Sequence, residues 1–283
     1  IASGGGTFDV ASAANTFTLP ITGLSIAGSI TKSGLGTLLL SGSNAYTGQT
    51  NVDGGVLRLA SNFVRPAATN GGFIVGNAAS SIAVMQIDPG ASLTIAGNAP
   101  GLRIGVGTNS LGVVNQTGGV VSLTGAAANT QFPIGSVAGA FGAYNLSAGT
   151  ITGGQMEVGP SGTGLLTVTG GTYAATGGSG SKYIIIGRFV NSIGVATVGG
   201  GAGTATMVGG VNSTGIALGW TDVAANVRSE LNVMSNALVS GGAATYGLAY
   251  RGGTGGSAVQ IANLLTGGTL AAGYVNVSSG TPT

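Results

Sequence analysis

The sequence predicts an all-β chain folded as a parallel β-solenoid. Three observations carry that prediction: glycines at seven-residue steps, a longer repeat of about 30 residues, and apolar–polar alternation between the glycines. Of 283 residues, 58 are glycine, 43% are hydrophobic and 5% are charged. Disorder needs more charge and less apolar surface, and collagen needs a strict three-residue glycine period, so this balance fits neither. Apolar residues at three- and four-residue spacing are soon interrupted by Gly or a β-branched residue, so helix is not expected.

The glycine steps come first. Gly105, Gly112 and Gly119 are followed by Gly135, Gly142 and Gly149 and by Gly187, Gly194 and Gly201, each triple stepping by seven. Gly159, Gly164 and Gly171 keep the second step and shorten the first to five, as a loop deletion on one side of a coil would. The first glycines of these sets, Gly105, Gly135, Gly159 and Gly187, recur at a longer interval, and Gly76 and Gly219 extend that series in both directions. Such a period marks stacked units, none of which buries a core alone. All these glycines are expected at left-handed corners. A further copy, Glu230–Ser235, ends on Asn236 where the others have Gly, and Asn is the non-glycine residue that best tolerates positive φ.

The strands follow. Gly36–Ser41, Ser92–Ala96 and Leu165–Thr169 are short apolar or alternating runs bounded by turn residues. Aligned copies place Val114, Tyr144, Leu166, Ala196 and Leu231 in one apolar column. Asn115, Asn145, Thr167, Thr197 and Asn232 fall in the next, a polar ladder. Stacked at about 4.8 Å, the first column makes a dry core and the second a row of hydrogen-bonding side chains. The whole chain would give roughly nine to ten coils of about 24–32 residues and a rod on the order of 45 Å long.

Composition also excludes functions. The chain has no Cys and no His, which removes disulfides, thiolate chemistry, Cys/His zinc sites and imidazole catalysis, and no cofactor is expected. Its eight cations, Lys32, Arg58, Arg65, Arg103, Lys182, Arg188, Arg228 and Arg251, are scattered, whereas nucleic-acid binding needs a basic stripe. Apolar runs break before the roughly 18 residues of a membrane helix. The period and the missing aromatic girdles argue against an outer-membrane barrel.

The six acids, Asp9, Asp53, Asp88, Glu157, Asp222 and Glu230, lie far apart, with no two in one aligned column. A carbohydrate-active β-helix enzyme would need them to converge in space, and the expectation is no enzyme. Lys32 is expected at a solvent-facing strand end. Trp220, with Tyr183, Phe189 and Tyr250, reads either as a sugar-stacking platform or as a cap on the core. Thr pairs such as Thr167 and Thr169 do not recur on every coil. Asn115, Asn145 and Asn276 open glycosylation sequons, which repeats rich in Asn, Ser and Thr generate by chance.

The N-terminal end carries a more specific pattern. Lys32-Ser33-Gly34, Gly36-Thr37-Leu38, Leu40-Ser41-Gly42, Asn44, Tyr46-Thr47-Gly48, Thr50 and Gly54-Gly55 follow one another within residues 28–60. This stretch resembles the autotransporter-associated β-strand repeat of bacterial surface proteins. The resemblance implies a right-handed β-helix, secreted and displayed extracellularly or at the bacterial cell surface, serving adhesion, aggregation or surface coating. It carries no catalytic residue over. Residues 1–62 are expected to hold the N-terminal coils with this repeat, and residues 63–283 to continue the solenoid as one domain.

The chain opens at Ile1 without a targeting signal, as a mature chain or excised piece would. After Gly268 a few more strand-like residues are expected and not a C-terminal translocator. Gly6–Val10 and Thr16–Leu19 at one end, and Thr269–Ala271 and Tyr274–Val277 at the other, read as ordinary strands and not as caps. The expectation is a longer solenoid or subunits stacking end to end on copies of themselves into a structural fibre. The alternative is an adhesin segment that binds surface or matrix glycans through its loops.

Overall fold

The computed structural model describes residues 5–19, 28–42, 46–65, 72–96, 101–123, 131–175, 183–210, 214–220, 226–242, 246–251, 258–272 and 275–278. Among them there are 27 strands and no helix. Sheet A takes one strand from each coil: β1 (Gly6–Asp9), β3 (Ile30–Ser33), β5 (Thr50–Val52), β8 (Phe73–Val75), β11 (Leu102–Ile104), β13 (Gln131–Ile134), β15 (Gln155–Val158), β18 (Ile184–Ile186), β21 (Thr214–Leu218), β24 (Tyr246–Arg251) and β27 (Val275–Ser278).

Sheet B has 16 strands and bends into two faces. Face B1 runs through β2 (Thr16–Leu19), β4 (Thr37–Leu40), β6 (Gly55–Leu59), β9 (Ile82–Ile87), β12 (Leu111–Leu123), β14 (Phe141–Thr152), β16 (Thr163–Val168), β19 (Ile193–Val198), β22 (Arg228–Val233) and β25 (Val259–Leu264). Face B2 runs through β7 (Asn62–Arg65), β10 (Ser92–Ile95), the C-terminal halves of β12 and β14, then β17 (Gly171–Ala174), β20 (Ala205–Val208), β23 (Ala237–Ser240) and β26 (Thr269–Ala271). The pairings are parallel. The chain is a parallel β-solenoid. The 11 strands of sheet A make ten steps, about 48 Å at about 4.8 Å per rung.

Register fixes the coil lengths. Ile184 pairs with Ile216, a coil at the upper end of the expected range. Ile30 pairs with Thr50, and Thr50 in turn with Phe73. Both of these coils are shorter than expected, so the lower bound read from the glycine spacing is too high at the N-terminal end. For the coil from β3 to β5 the physical reason is that among the described residues it contributes no strand to face B2, which begins at β7 in the coil that follows. Pairing runs on through β7 and β10, across residues 62 and 63, without a break in the ladder.

Alternation along each strand points every second side chain inward. On face B1 the register stacks Leu57, Met85, Val114, Tyr144, Leu166, Ala196 and Leu231 in one column, all at most 1% exposed. Its one ring, Tyr144, lies between Val114 and Leu166, and Ala196 lies between two leucines. Phe132 meets Tyr144 edge to face at 5.1 Å, and Phe63 meets both Tyr46 and Phe73 at 4.9 Å. Edge-to-face pairs of this kind contribute about 0.5–1.5 kcal/mol each beyond burial.

Candidate functional site

The twelve glycines singled out from their spacing fall into two physical classes. Gly105, Gly119, Gly135, Gly149, Gly159, Gly171 and Gly187 have φ between 64° and 93° and occupy left-handed corners. Gly112, Gly142, Gly164 and Gly194 do not. They sit inside β12, β14, β16 and β19, and what requires glycine there is close backbone approach. A Cβ on Gly164 would stand 2.1 Å from the Gly159 nitrogen, and one on Gly194 would stand 2.2 Å from the Val158 oxygen. These glycines close the neck of the loop that leaves the preceding corner. The short step from Gly159 to Gly164 is a loop deletion between β15 and β16, since Gly142 and Gly164 pair across one rung.

Gly201 departs from the expected column. Gly171 pairs with Ala205, and the corner before β20 is turned by Gly199 and Gly200, with φ of 97° and 76°. An insertion at that corner displaces Gly201. Asn236 has φ of 60°. A second left-handed column was missed by counting glycines: Ser80, Asn109, Gly139, Asn191 and Asn226 each precede a B1 strand by two residues, with φ of 56–78°. The available signal was Asn at that offset, and Asn226 donates to Asn191 across one rung at 3.1 Å.

The register brings together Asn115, Asn145, Thr167, Thr197 and Asn232, and extends the row to Asn263. Asn145 donates to Asn115 at 2.8 Å and Asn263 to Asn232 at 2.8 Å. Asn232 also donates to Glu230 at 2.9 Å. The row lies on the outward surface of face B1 and is partly or fully exposed.

Lys32 is not solvent-facing: it is 0% exposed. It shares the inward parity of Ile30, and its ammonium donates to the carbonyls of Gly34 at 2.9 Å and Gly54 at 3.1 Å, and also to that of Ser33. Three N–H donors thus meet three carbonyls at a corner. Burial lowers its pKa from the ordinary 10.5, and the charge of Asp9 offsets part of that shift. Extending the register by one residue also puts Asp9 and Asp53 in one column, flanking Ser33, which corrects the expectation that no two acids share one. Asp53 accepts from the Ala78 amide at 3.0 Å, a turn contact. Among the described residues no three acids approach closely enough to hold a metal.

Much of the outward surface of sheet A is buried. Ile74, Ile185, Ala217 and Ala249 point outward yet are at most 1% exposed. Glu157 is on this surface, 3% exposed, and accepts from Gln155 and from the Arg188 guanidinium. Desolvation raises its pKa above 4.5, and Arg188 and Gln155 offset part of the rise. The Arg188 guanidinium also lies 4.7 Å from the ring centre of Phe189. Two coils are bridged by Tyr183 and Trp220, whose ring centres are 4.7 Å apart. The side chains of Tyr250 and Asn276 lie outside the described residues, as do Asp222, Lys182 and the side chain of Arg251.

Among the described residues β1 and β2 pair on one side only, Phe17 is 48% exposed, and a hollow of about 590 Å³ lies between the two strands, lined by Thr7–Val10 and Ala14–Phe17 among others. Among the described residues β25, β26 and β27 likewise pair on one side only, and Leu264 is 57% exposed.

A family model described as the passenger-associated transport repeat matches residues 30–59. These residues are β3 to β6, one short coil and the first two strands of the next. They contain the buried Lys32 and the buried hydroxyl pair of Tyr46 and Thr50. No curated protein and no solved structure matches the chain.

Proposed function

We propose that this chain is a structural building block of a secreted or surface-displayed fibre, lengthened by end-to-end stacking of solenoids. The passenger-type repeat at residues 30–59 supports a location outside the cell. One observation carries the stacking: the unpaired edges of β1 and β2 at one end, and of β25 and β27 at the other, belong to the same two ladders. Another copy therefore offers each edge a parallel partner and continues both the apolar columns and the outward row. A head-to-tail contact of this kind does not close on itself and yields a filament. Low net charge, +2, leaves little repulsion to oppose it.

Negative-stain electron microscopy over a concentration series tests this reading. Unbranched fibres that lengthen with concentration are expected, and single rods at every concentration would overturn it. A second reading, attachment to glycans, is favoured by the Tyr183–Trp220 ring pair, which flanks β18 and β21 of sheet A near the Glu157–Arg188 pair. Saturable binding to a neutral polysaccharide that Trp220→Ala abolishes would support it.

A further inference from the structure

Face B1 differs from sheet A in one respect: beside its asparagine row, two outward columns are apolar and, Ala143 apart, partly or fully exposed. From β9 to β19 five successive rungs place Val84, Val113, Leu165 and Val195, with an alanine on the middle rung, in one outward column. The column beside it, from Ile82 to Ile193, is apolar except at Thr163. Ile82 is 66% exposed and Ile193 39%. Both faces of these strands are apolar, as the adjacent pairs Val113-Val114 and Leu165-Leu166 show in the sequence, and strands of that kind belong to sheets covered on both sides. Most outward side chains of sheet A are buried, and most of those on face B1 are partly or fully exposed.

We propose that a second copy of the chain covers this band, face to face and antiparallel. The proposal does not depend on end-to-end stacking. Three observations select this occupant. The band repeats at the spacing of the solenoid itself, so another face B1 matches it rung for rung. Seven rungs from β6 to β22 and five residues along each strand span about 34 by 17 Å, about 570 Å² a side. The pair would bury about 1,100 Å², just above the roughly 1,000 Å² of a specific interface.

The third observation is the charge pattern. No charged side chain points outward from the five strands of the band, but an ion pair borders them at each side: Arg58 of β6 with Asp88 at 2.8 Å, and Arg228 with Glu230 of β22 at 2.6 Å. In an antiparallel pair centred on β14, the β6 rung of one copy lies opposite the β22 rung of the other, setting the Arg58–Asp88 pair against the Arg228–Glu230 pair so that Arg58 can be shared with Glu230. The asparagine row forms a polar rim along the band.

Small-angle scattering and sedimentation velocity of the intact chain test the proposal, with Val113→Lys/Leu165→Lys in the apolar band, Glu230→Arg at its border and Thr172→Lys on face B2 as a control. The native chain and the control are expected to double their cross-section at micromolar concentration. The double variant should pair at least about tenfold more weakly, because each lysine would be buried unpaired, and Glu230→Arg should weaken pairing while leaving the band intact. A native cross-section of one solenoid at every concentration, or growth in length alone, would overturn the proposal. Pairing unaffected by both sets of substitutions would also overturn it.

Discussion

Tyr144 donates a 2.6 Å hydrogen bond to Gln116 across one rung of the core, and both side chains are 0% exposed. Gln116 interrupts a column of Leu59, Ile87, Leu146 and Val168. Its amide also donates to the carbonyls of Gly119 and Thr150, each at 3.3 Å. The register between β12 and β14 shifts at Gln116 and again before Val120, so Gln116 satisfies carbonyls that the irregular corner frees. Gln116→Leu should cost about 1–3 kcal/mol by leaving the hydroxyl and the carbonyls unpaired. Adding Tyr144→Phe should recover part of that loss, which chemical denaturation of the single and double variants measures.

Gly164 and Gly90 separate the two reasons for glycine. A Cβ at Gly164 meets backbone at 2.1 Å, whereas Gly90 has φ of 83° and open space within 4 Å. Gly164→Ala should destabilise by about 3 kcal/mol or more, because backbone cannot yield as a side chain does. Gly90→Ala should cost only about 1–2 kcal/mol, the penalty of a left-handed conformation. Thermal unfolding of the two variants gives the comparison.

Glu157 predicts a pH response. Its folded pKa is raised above 4.5 by burial, so between 4.5 and that raised value the folded chain holds a proton the unfolded chain has released. Stability therefore falls as pH rises through this window and is regained on acidification through it. Glu157→Gln should flatten the denaturation midpoint across the window. An unchanged slope would assign the effect to another group.

Lys32 predicts the mirror case at alkaline pH. Between its lowered folded pKa and 10.5 the unfolded chain binds the proton the folded chain lacks, so stability rises with pH there. Lys32→Ala should remove that slope. It should also loosen the first coils by about 2–4 kcal/mol, since it leaves a cavity and takes the side-chain donor from the carbonyls of Gly34 and Gly54, while that of Ser33 keeps the Val10 amide. Hydrogen exchange of the β3–β5 amides reads both effects.

The solenoid was legible because backbone geometry, and not side-chain chemistry, demands glycine at its corners and necks. The column from Val114 to Leu231 followed from the same steps. Lys32 was misjudged because charge was weighed above parity, although Ile30 two residues earlier already marks the inward side. The Ser80–Asn226 column was hidden because Asn, Ser and Gly share it, and no single residue type repeats there. The Glu157–Arg188 pair links neighbouring coils and could not be read from scattered acids, since it depends on register and on a covered outer surface.

Disulfide trapping tests the end-to-end account most directly, because the chain has no native cysteine. Thr18 and Asn263 occupy the same outward position on the first and last strands of face B1. Stacking that continues this ladder brings them about 4.8 Å apart across the junction, within disulfide reach. The account predicts that oxidising the Thr18→Cys/Asn263→Cys chain yields a covalent ladder of multimers, while an equal mixture of the single variants stops at dimers. Monomers alone under oxidation, at concentrations where fibres form, would contradict it.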